Sequence, residues 1–195
     1  EFEKLKDEHP YSNYSGQALV YNAYLNFELN NLDKTISILN EYLIIDPNGK
    51  FSIYAQYMIA MCYYVQISDP RRDGKFTKLS IKKFESLIKK YPSSKYSRDA
   101  RLKLEYLKNY LATKEFEVGM YYLKNNAPSP AIKRFSFIIE NYQSTSIIPQ
   151  TLYRIYEDCL MLGLKENAKK TSMLLKYNFP KNKWSKELGD SEEKN

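Results

Sequence analysis

The chain has 195 residues, of which 43% are apolar, enough for one repeat array or one domain with a short extension. Its net charge of +7 is concentrated in residues 66–110, which carry thirteen Lys or Arg and five Asp or Glu, while the remainder is close to neutral. With one histidine, two cysteines and six glycines there is no Cys/His set at metal spacing, no glycine-rich phosphate loop and no nucleophile motif, so the composition argues against an enzyme and against a bound cofactor.

A helical pattern is already running at Glu1-Phe2-Glu3-Lys4-Leu5 and stops at His9-Pro10. It reads as the second half of a first repeat, with any targeting signal expected upstream. His9 reads as a cap or turn residue, not as a base or a ligand. Helices are then predicted over 14–29 and 32–45, the second closed by Pro47, and over 51–66. The run Ser68-Asp69-Pro70-Arg71-Arg72-Asp73-Gly74-Lys75 reads as a loop. A helix over 76–91 ends before Pro92. The stretch 97–124 has no proline and Gly119 as its one glycine, so a single long helix is expected, bent near Ala112–Glu115. Helices follow over 128–141, 147–162 and 165–178, and the last is closed by Pro180. The residues from 186 to 195 read as a polar tail. No apolar run approaches the length of a membrane span, and no signal peptide opens the chain.

Four of these helices share one grammar. Thr35, Leu39, Tyr42 and Pro47 have the spacing of Ser80, Phe84, Leu87 and Pro92. Ala131, Phe135 and Ile138 repeat it with Gln143 in the proline position, and Ala168, Ser172, Leu175 and Pro180 repeat it again. Pro10 to Pro47 and Gln143 to Pro180 are both 37 residues. The longer step to Pro92 is absorbed by the loop after Ile67, and the step to Gln143 by the long helix. This is the second-helix pattern of a tetratricopeptide hairpin, where a small residue lets two helices approach and a proline stops the second. The predicted fold is all-α. It is a tetratricopeptide solenoid of about nine antiparallel helices in a right-handed superhelix, because single hairpins cannot bury their apolar faces alone. One array fills residues 1–185: a half repeat at 1–10, then repeats at about 14–47, 51–92, 97–143 and 147–180. Cys62 and Cys159 fall in first helices two repeats apart and read as small buried apolar residues, not as a disulfide.

Such an array is usually a binding surface. First helices face its concave side. Counting back from Thr35, the concave positions are Gln17, Tyr21, Tyr24 and Glu28. In the next repeat they are Tyr54, Tyr57, Met58, Met61 and Tyr64. These side chains either line a groove for an extended peptide or pack against the neighbouring repeat. The basic stretch 66–110 is either a solvated face or a surface for phosphate-bearing lipid or an acidic partner. Nucleic acid is disfavoured because no recognition module is present. Arg134 lies beside the seam with Lys133, and either covers apolar surface or makes an interface ion pair.

Three longer strings carry a resemblance. They are Cys62-Tyr63-Tyr64-Val65-Gln66-Ile67-Ser68-Asp69 followed by Arg72-Asp73, then Tyr91-Pro92-Ser93-Ser94-Lys95-Tyr96-Ser97-Arg98-Asp99-Ala100-Arg101, and Glu117-Val118-Gly119-Met120-Tyr121-Tyr122-Leu123-Lys124 with Ala131-Ile132-Lys133-Arg134-Phe135. Over about residues 1–184 the chain resembles the BamD family, the tetratricopeptide lipoproteins of the outer-membrane β-barrel assembly machine, and most of all its alphaproteobacterial branch. The resemblance implies a non-catalytic protein on the periplasmic face of the outer membrane. It implies tethering through a lipidated N-terminal cysteine, which this chain does not contain. It implies that the N-terminal repeats receive unfolded barrel proteins through their C-terminal strand, whose end is typically aromatic. The C-terminal repeats would bind the periplasmic domains of the barrel-forming subunit BamA, and some relatives bind further lipoproteins. In the pattern Ala-Ile-x-Arg, Arg134 would meet an acidic group of BamA, with Tyr153, Arg154 and Glu157 as further contacts. The alternative is an adaptor for peptide tails in another cell-envelope or cytoplasmic complex.

Overall fold

The computed structural model describes residues 13–68 and 74–192; the half repeat at 1–10 and much of the Ser68–Lys75 loop fall outside them. Among the described residues there are nine helices and no strand. They are α1 (Asn13–Glu28), α2 (Leu32–Ile45), α3 (Ser52–Val65), α4 (Gly74–Lys90), α5 (Lys95–Lys124), α6 (Pro128–Asn141), α7 (Ile148–Met161), α8 (Lys165–Asn178) and α9 (Lys183–Glu192). The chain divides into two compact units, residues 1–107 and 108–195, with α5 starting in the first and ending in the second. In the first unit α1 packs on α2, α2 on α3 and α3 on α4. In the second, α6 packs on α7 and α7 on α8, while α9 packs on both α7 and α8. This is the hairpin succession of a tetratricopeptide repeat protein.

The repeated positions form the core. All twelve apolar or small residues of the four second-helix patterns are buried, from Thr35, Leu39 and Tyr42 through to Ala168, Ser172 and Leu175. The small member of each set sits where the paired helix comes close. Thr35 shows this directly, its hydroxyl donating across the hairpin to the carbonyl of Ala23 at 3.3 Å. In the second unit the long helix α5 supplies the small residue itself. A Cβ built on Gly119 would lie 2.4 Å from the ring of Phe135, so only glycine lets α5 and α6 meet there.

Three turns inside hairpins use one device. Asn30, Asn126 and Gly163 all have positive φ, and each lies two residues before a second helix. At each, the next residue's N–H reaches back five positions: Asn31 to Asn26, Ala127 to Tyr122 and Leu164 to Cys159, at 2.8, 3.0 and 2.8 Å. The positive-φ residue itself bonds back three positions, to Phe27, Leu123 and Leu160. This is the Schellman motif, which satisfies the last carbonyls of the first helix and tolerates Gly or Asn in the left-handed region.

The junctions between hairpins use another. Proline follows the second helix at Pro47, Pro92 and Pro180, and the residue before it keeps an exposed end of backbone to satisfy. Ser52 donates to the carbonyl of Asp46, Ser97 to that of Tyr91 and Ser185 to that of Phe179, all at 2.7 Å. Each serine stands five residues after its proline, immediately after a lysine and an aromatic: Lys50-Phe51-Ser52, Lys95-Tyr96-Ser97 and Lys183-Trp184-Ser185. The third copy explains why the expected polar tail is mostly a helix. Pro180 opens one more first helix, and in α9 Leu188 is 0% exposed, in the same cluster as Leu152, Tyr156 and Leu175. The sequence reading missed it because one leucine and one tryptophan make too little periodicity to stand out in a polar segment.

Leu188→Ala is therefore expected to cost about 2–5 kcal/mol in a denaturant melt, as for other buried leucines. Lys186→Ala, two residues before it and exposed, should stay within about 0.5 kcal/mol. Equal, small effects from both would show that α9 is not part of the core.

Candidate partner-binding surfaces

In the first unit the first helices enclose an open cavity of about 540 Å³. Of the predicted groove positions, Gln17, Tyr21, Tyr24 and Tyr54 line it. Tyr21 and Tyr24 are exposed on α1. Tyr54 is half-buried, and its phenol is pushed up to about 12, first by burial and then by the neighbouring phenols of Tyr96 and Tyr24 and the charge of Glu28. The cavity wall also holds Lys50, Phe51, Lys95 and Tyr96, which the sequence reading did not pick out. The signal was present: both pairs stand at the same distance after a proline, in the Lys-aromatic-Ser element described above.

The other predicted positions are placed differently. Met58 is 6% exposed and belongs to the core with Ala55 and Ile59, because it falls on the α3 stripe that faces α2. Met61 and Tyr64 pack against the cluster of Ala60, Phe84, Leu87 and Ala100. Glu28 is exposed and does not line the cavity. Tyr57 backs the wall without lining it. Its ring lies 5.2 Å from that of Tyr96, and its hydroxyl donates to Asp99 at 2.5 Å. Lys103 binds the same carboxylate at 2.7 Å. Burial pushes Asp99 up, but the hydrogen bonds from Lys103 and Tyr57 and the charge of Lys103 outweigh it and hold the carboxyl below its usual value. The ring of Tyr96 is thus held between Tyr54, 5.7 Å away, and an anchored Tyr57.

In the second unit, Lys133 and Arg134 line a smaller cavity of about 340 Å³ with Tyr122, Pro130 and Phe137. Both cations are exposed. Arg134 is not idle: its Nη1 donates to Glu115 of α5 at 3.0 Å. The remaining candidates do not line this cavity. Tyr153 is 9% exposed, its ring 5.1 Å from that of Trp184, because α9 covers the face of α7 that a tail would have left open. Arg154 pairs with Glu157 at 2.5 Å, and its guanidinium lies 5.4 Å from the Trp184 ring. That arrangement is a structural contact of α7 with α9.

Next to this pair sits Asp158, 0% exposed, with neither carboxylate oxygen hydrogen-bonded. Burial, then the charge of Glu157, push its carboxyl up to about 7, against an opposing pull from Arg154. The folded state thus holds this proton more tightly than the unfolded chain, whose Asp titrates near 4. Its stabilising share is full below about pH 4 and is lost as pH rises through about 7. Asp158→Asn should therefore melt above the wild type at pH 8, with the difference closing towards pH 5. A difference that does not vary with pH would rule out this titration.

Among the described residues, no group of three His, Cys, Asp or Glu could hold a metal ion, and no helix is long and apolar enough to cross a membrane. Cys62 and Cys159 are both buried and free. Among the described residues the fold is that of an all-α helical-repeat protein. Residues 1–174 match the model of the YfiO family, outer membrane lipoprotein. The chain is 39% identical to the outer membrane protein assembly factor BamD of Rickettsia prowazekii (strain Madrid E), over 94% of this chain and 73% of that protein. It is 35% identical to the BamD of Caulobacter vibrioides, over 94% of this chain and 60% of that protein. It is 26% identical to the BamD of Xylella fastidiosa (strain 9a5c), over 95% of this chain and 67% of that protein. The chain belongs to this family of outer-membrane lipoproteins and BamD assembly factors. Its relatives are assembly factors and not enzymes, and its place is the periplasmic side of the outer membrane.

Proposed function

We propose that this protein is a non-catalytic scaffold and receptor in the assembly of outer-membrane β-barrel proteins. The groove of the first unit receives unfolded barrel proteins, and the Lys133–Arg134 surface of the second binds the periplasmic domains of a BamA-like barrel-forming subunit. Membership of the assembly-factor family supports the role. The observation that carries the substrate half is the convergence of Gln17, Tyr21, Tyr24 and Tyr54 on one aromatic cavity. Aromatic side chains bury much area at low entropic cost, which suits varied extended peptides. A photo-crosslinker at Tyr24 should capture a peptide from the C-terminal strand of a barrel protein. One at Lys82, exposed on α4, should not, and equal capture from both would argue against a groove.

The partner half rests on two exposed cations beside the exposed ring of Phe137. A guanidinium binds carboxylate through a planar fork, so Arg134 suits an acidic group on the partner. Arg134→Glu should weaken binding to purified BamA periplasmic domains by ~2–4 kcal/mol, since it leaves one charge unpaired and adds repulsion. Folding should change little. Undiminished pull-down by the folded variant would remove Arg134 from the interface.

A further inference from the structure

Much of the charge concentrated in residues 66–110 falls on one helix, α4, which carries six lysines and one acid, Glu85. The helix packs on α3 through a buried stripe of Thr77, Ser80, Phe84 and Leu87. Lys75, Lys78, Lys82 and Lys89 are all exposed. With one turn every ~3.6 residues, their spacing sets them in a single line about 21 Å long on the side away from that stripe. Among the described residues none of the four is in an ion pair. The neighbouring elements do not cancel the charge. α3 has no charged side chain. At the start of α5, Arg98 and Arg101 are exposed, and Arg101 donates back to the carbonyl of Pro92 at 2.6 Å, which holds its charge beside the end of α4. Asp99 of the same turn is already bound by Lys103 and Tyr57.

We infer that this face of α4 lies on an anionic phospholipid surface. Its chemistry favours lipid over an acidic protein. Protein interfaces concentrate their energy in Trp, Tyr and Arg seated in pockets and are poor in lysine. Here the line is all lysine, and none of the four lines the groove of the first unit or the Lys133–Arg134 cavity. A lysine ammonium is a hydrated point charge on a flexible stem, which suits a diffuse sheet of phosphates better than one fixed carboxylate. Each such charge near an anionic membrane raises partition roughly fivefold, so a line of four is a substantial contact. The place of this family is the periplasmic side of the outer membrane, so a lipid surface is within reach. Because these lysines stand outside the groove, α4 can rest on lipid with the groove open. The contact is independent of what either binding surface receives.

The test sediments the purified chain with vesicles of phosphatidylcholine alone and with vesicles of mixed phosphatidylglycerol and phosphatidylcholine, in ~100 mM salt. The wild type is expected to bind the mixed vesicles at least about tenfold more tightly. The triple variant Lys78→Glu/Lys82→Glu/Lys89→Glu, which circular dichroism should show to be folded, should lose about tenfold or more of that binding. A second triple, Lys169→Glu/Lys170→Glu/Lys186→Glu, makes the same change in net charge at exposed lysines elsewhere and should lose about threefold or less. Equal losses in the two triples would assign the binding to net charge and overturn the α4 face. Equal binding of the wild type to both kinds of vesicle would overturn the lipid assignment and leave the face to an acidic protein. Acetylation of wild-type lysines, read by mass spectrometry, gives an answer that needs no variant. The mixed vesicles should protect Lys78, Lys82 and Lys89 and leave Lys169 and Lys170 reactive. No protection at the three α4 lysines would overturn the contact.

Discussion

The hydrogen bond from a serine hydroxyl to the last carbonyl before a proline holds the junctions of this protein in place. Proline ends each second helix, and the chain must then turn back into the next first helix. Ser52, Ser97 and Ser185 close that turn at 2.7 Å each. A bond of this kind contributes about 1 kcal/mol net and gives a partner to a carbonyl that the helix end leaves without one, which favours one turn geometry. That geometry also fixes the two residues before the serine. In the first unit they are Lys50-Phe51 and Lys95-Tyr96, which become the wall and the charged rim of the groove. In the second they are Lys183-Trp184, where the same local structure turns its aromatic onto Tyr153 and Arg154 and seals the core. One backbone requirement thus shapes a cavity in one unit and closes the core in the other.

The junction without this element shows what replaces it. Gln143 stands in the proline position and Ile148 where serine would be. Thr145 bonds the carbonyl of Tyr142 at 2.7 Å. The backbone N–H of Ser146 then donates to the side chain of Asn109 at 3.0 Å, a long-range bond from α5. Asn109 is the fifteenth residue of α5, at about the length where the first helices α3 and α7 end.

Most of the fold was legible because its determinants are local. Small residues at Thr35, Ser80, Ala131 and Ala168, and prolines two residues after helices, fix hairpins through sterics alone, and α2, α6 and α8 have the bounds the pattern implies. The turn residues Asn30, Asn126 and Gly163 belong to the same class of signal. What sequence left open depends on which neighbour covers a face. Met58 and Tyr54 lie about one turn apart on α3, yet one enters the core and the other the groove, because α2 covers only one of them. Tyr153 reads as a surface residue until α9 is known to exist. Lys50 and Lys95 stand out only once two first helices bring them to one cavity. In each case the missing information is tertiary, and periodicity cannot supply it.

Arg134 illustrates how a surface can be both settled and available. Its pair with Glu115 is solvent-exposed on the arginine side, and such pairs contribute roughly 0–1 kcal/mol. Exchanging Glu115 for a partner's carboxylate therefore costs the isolated protein little. The exchange also gains little affinity by itself, because one ion pair replaces another. Its value lies in orientation and in on-rate: the intrachain pair holds the guanidinium extended over α5, ready for a planar fork contact, and Lys133 beside it keeps the local field positive after the exchange. Net affinity at this surface must then come from its apolar part, where Tyr122 and the exposed ring of Phe137 line the cavity the two cations flank. On the proposed reading of this surface, charge selects and aligns the partner and the aromatic floor retains it.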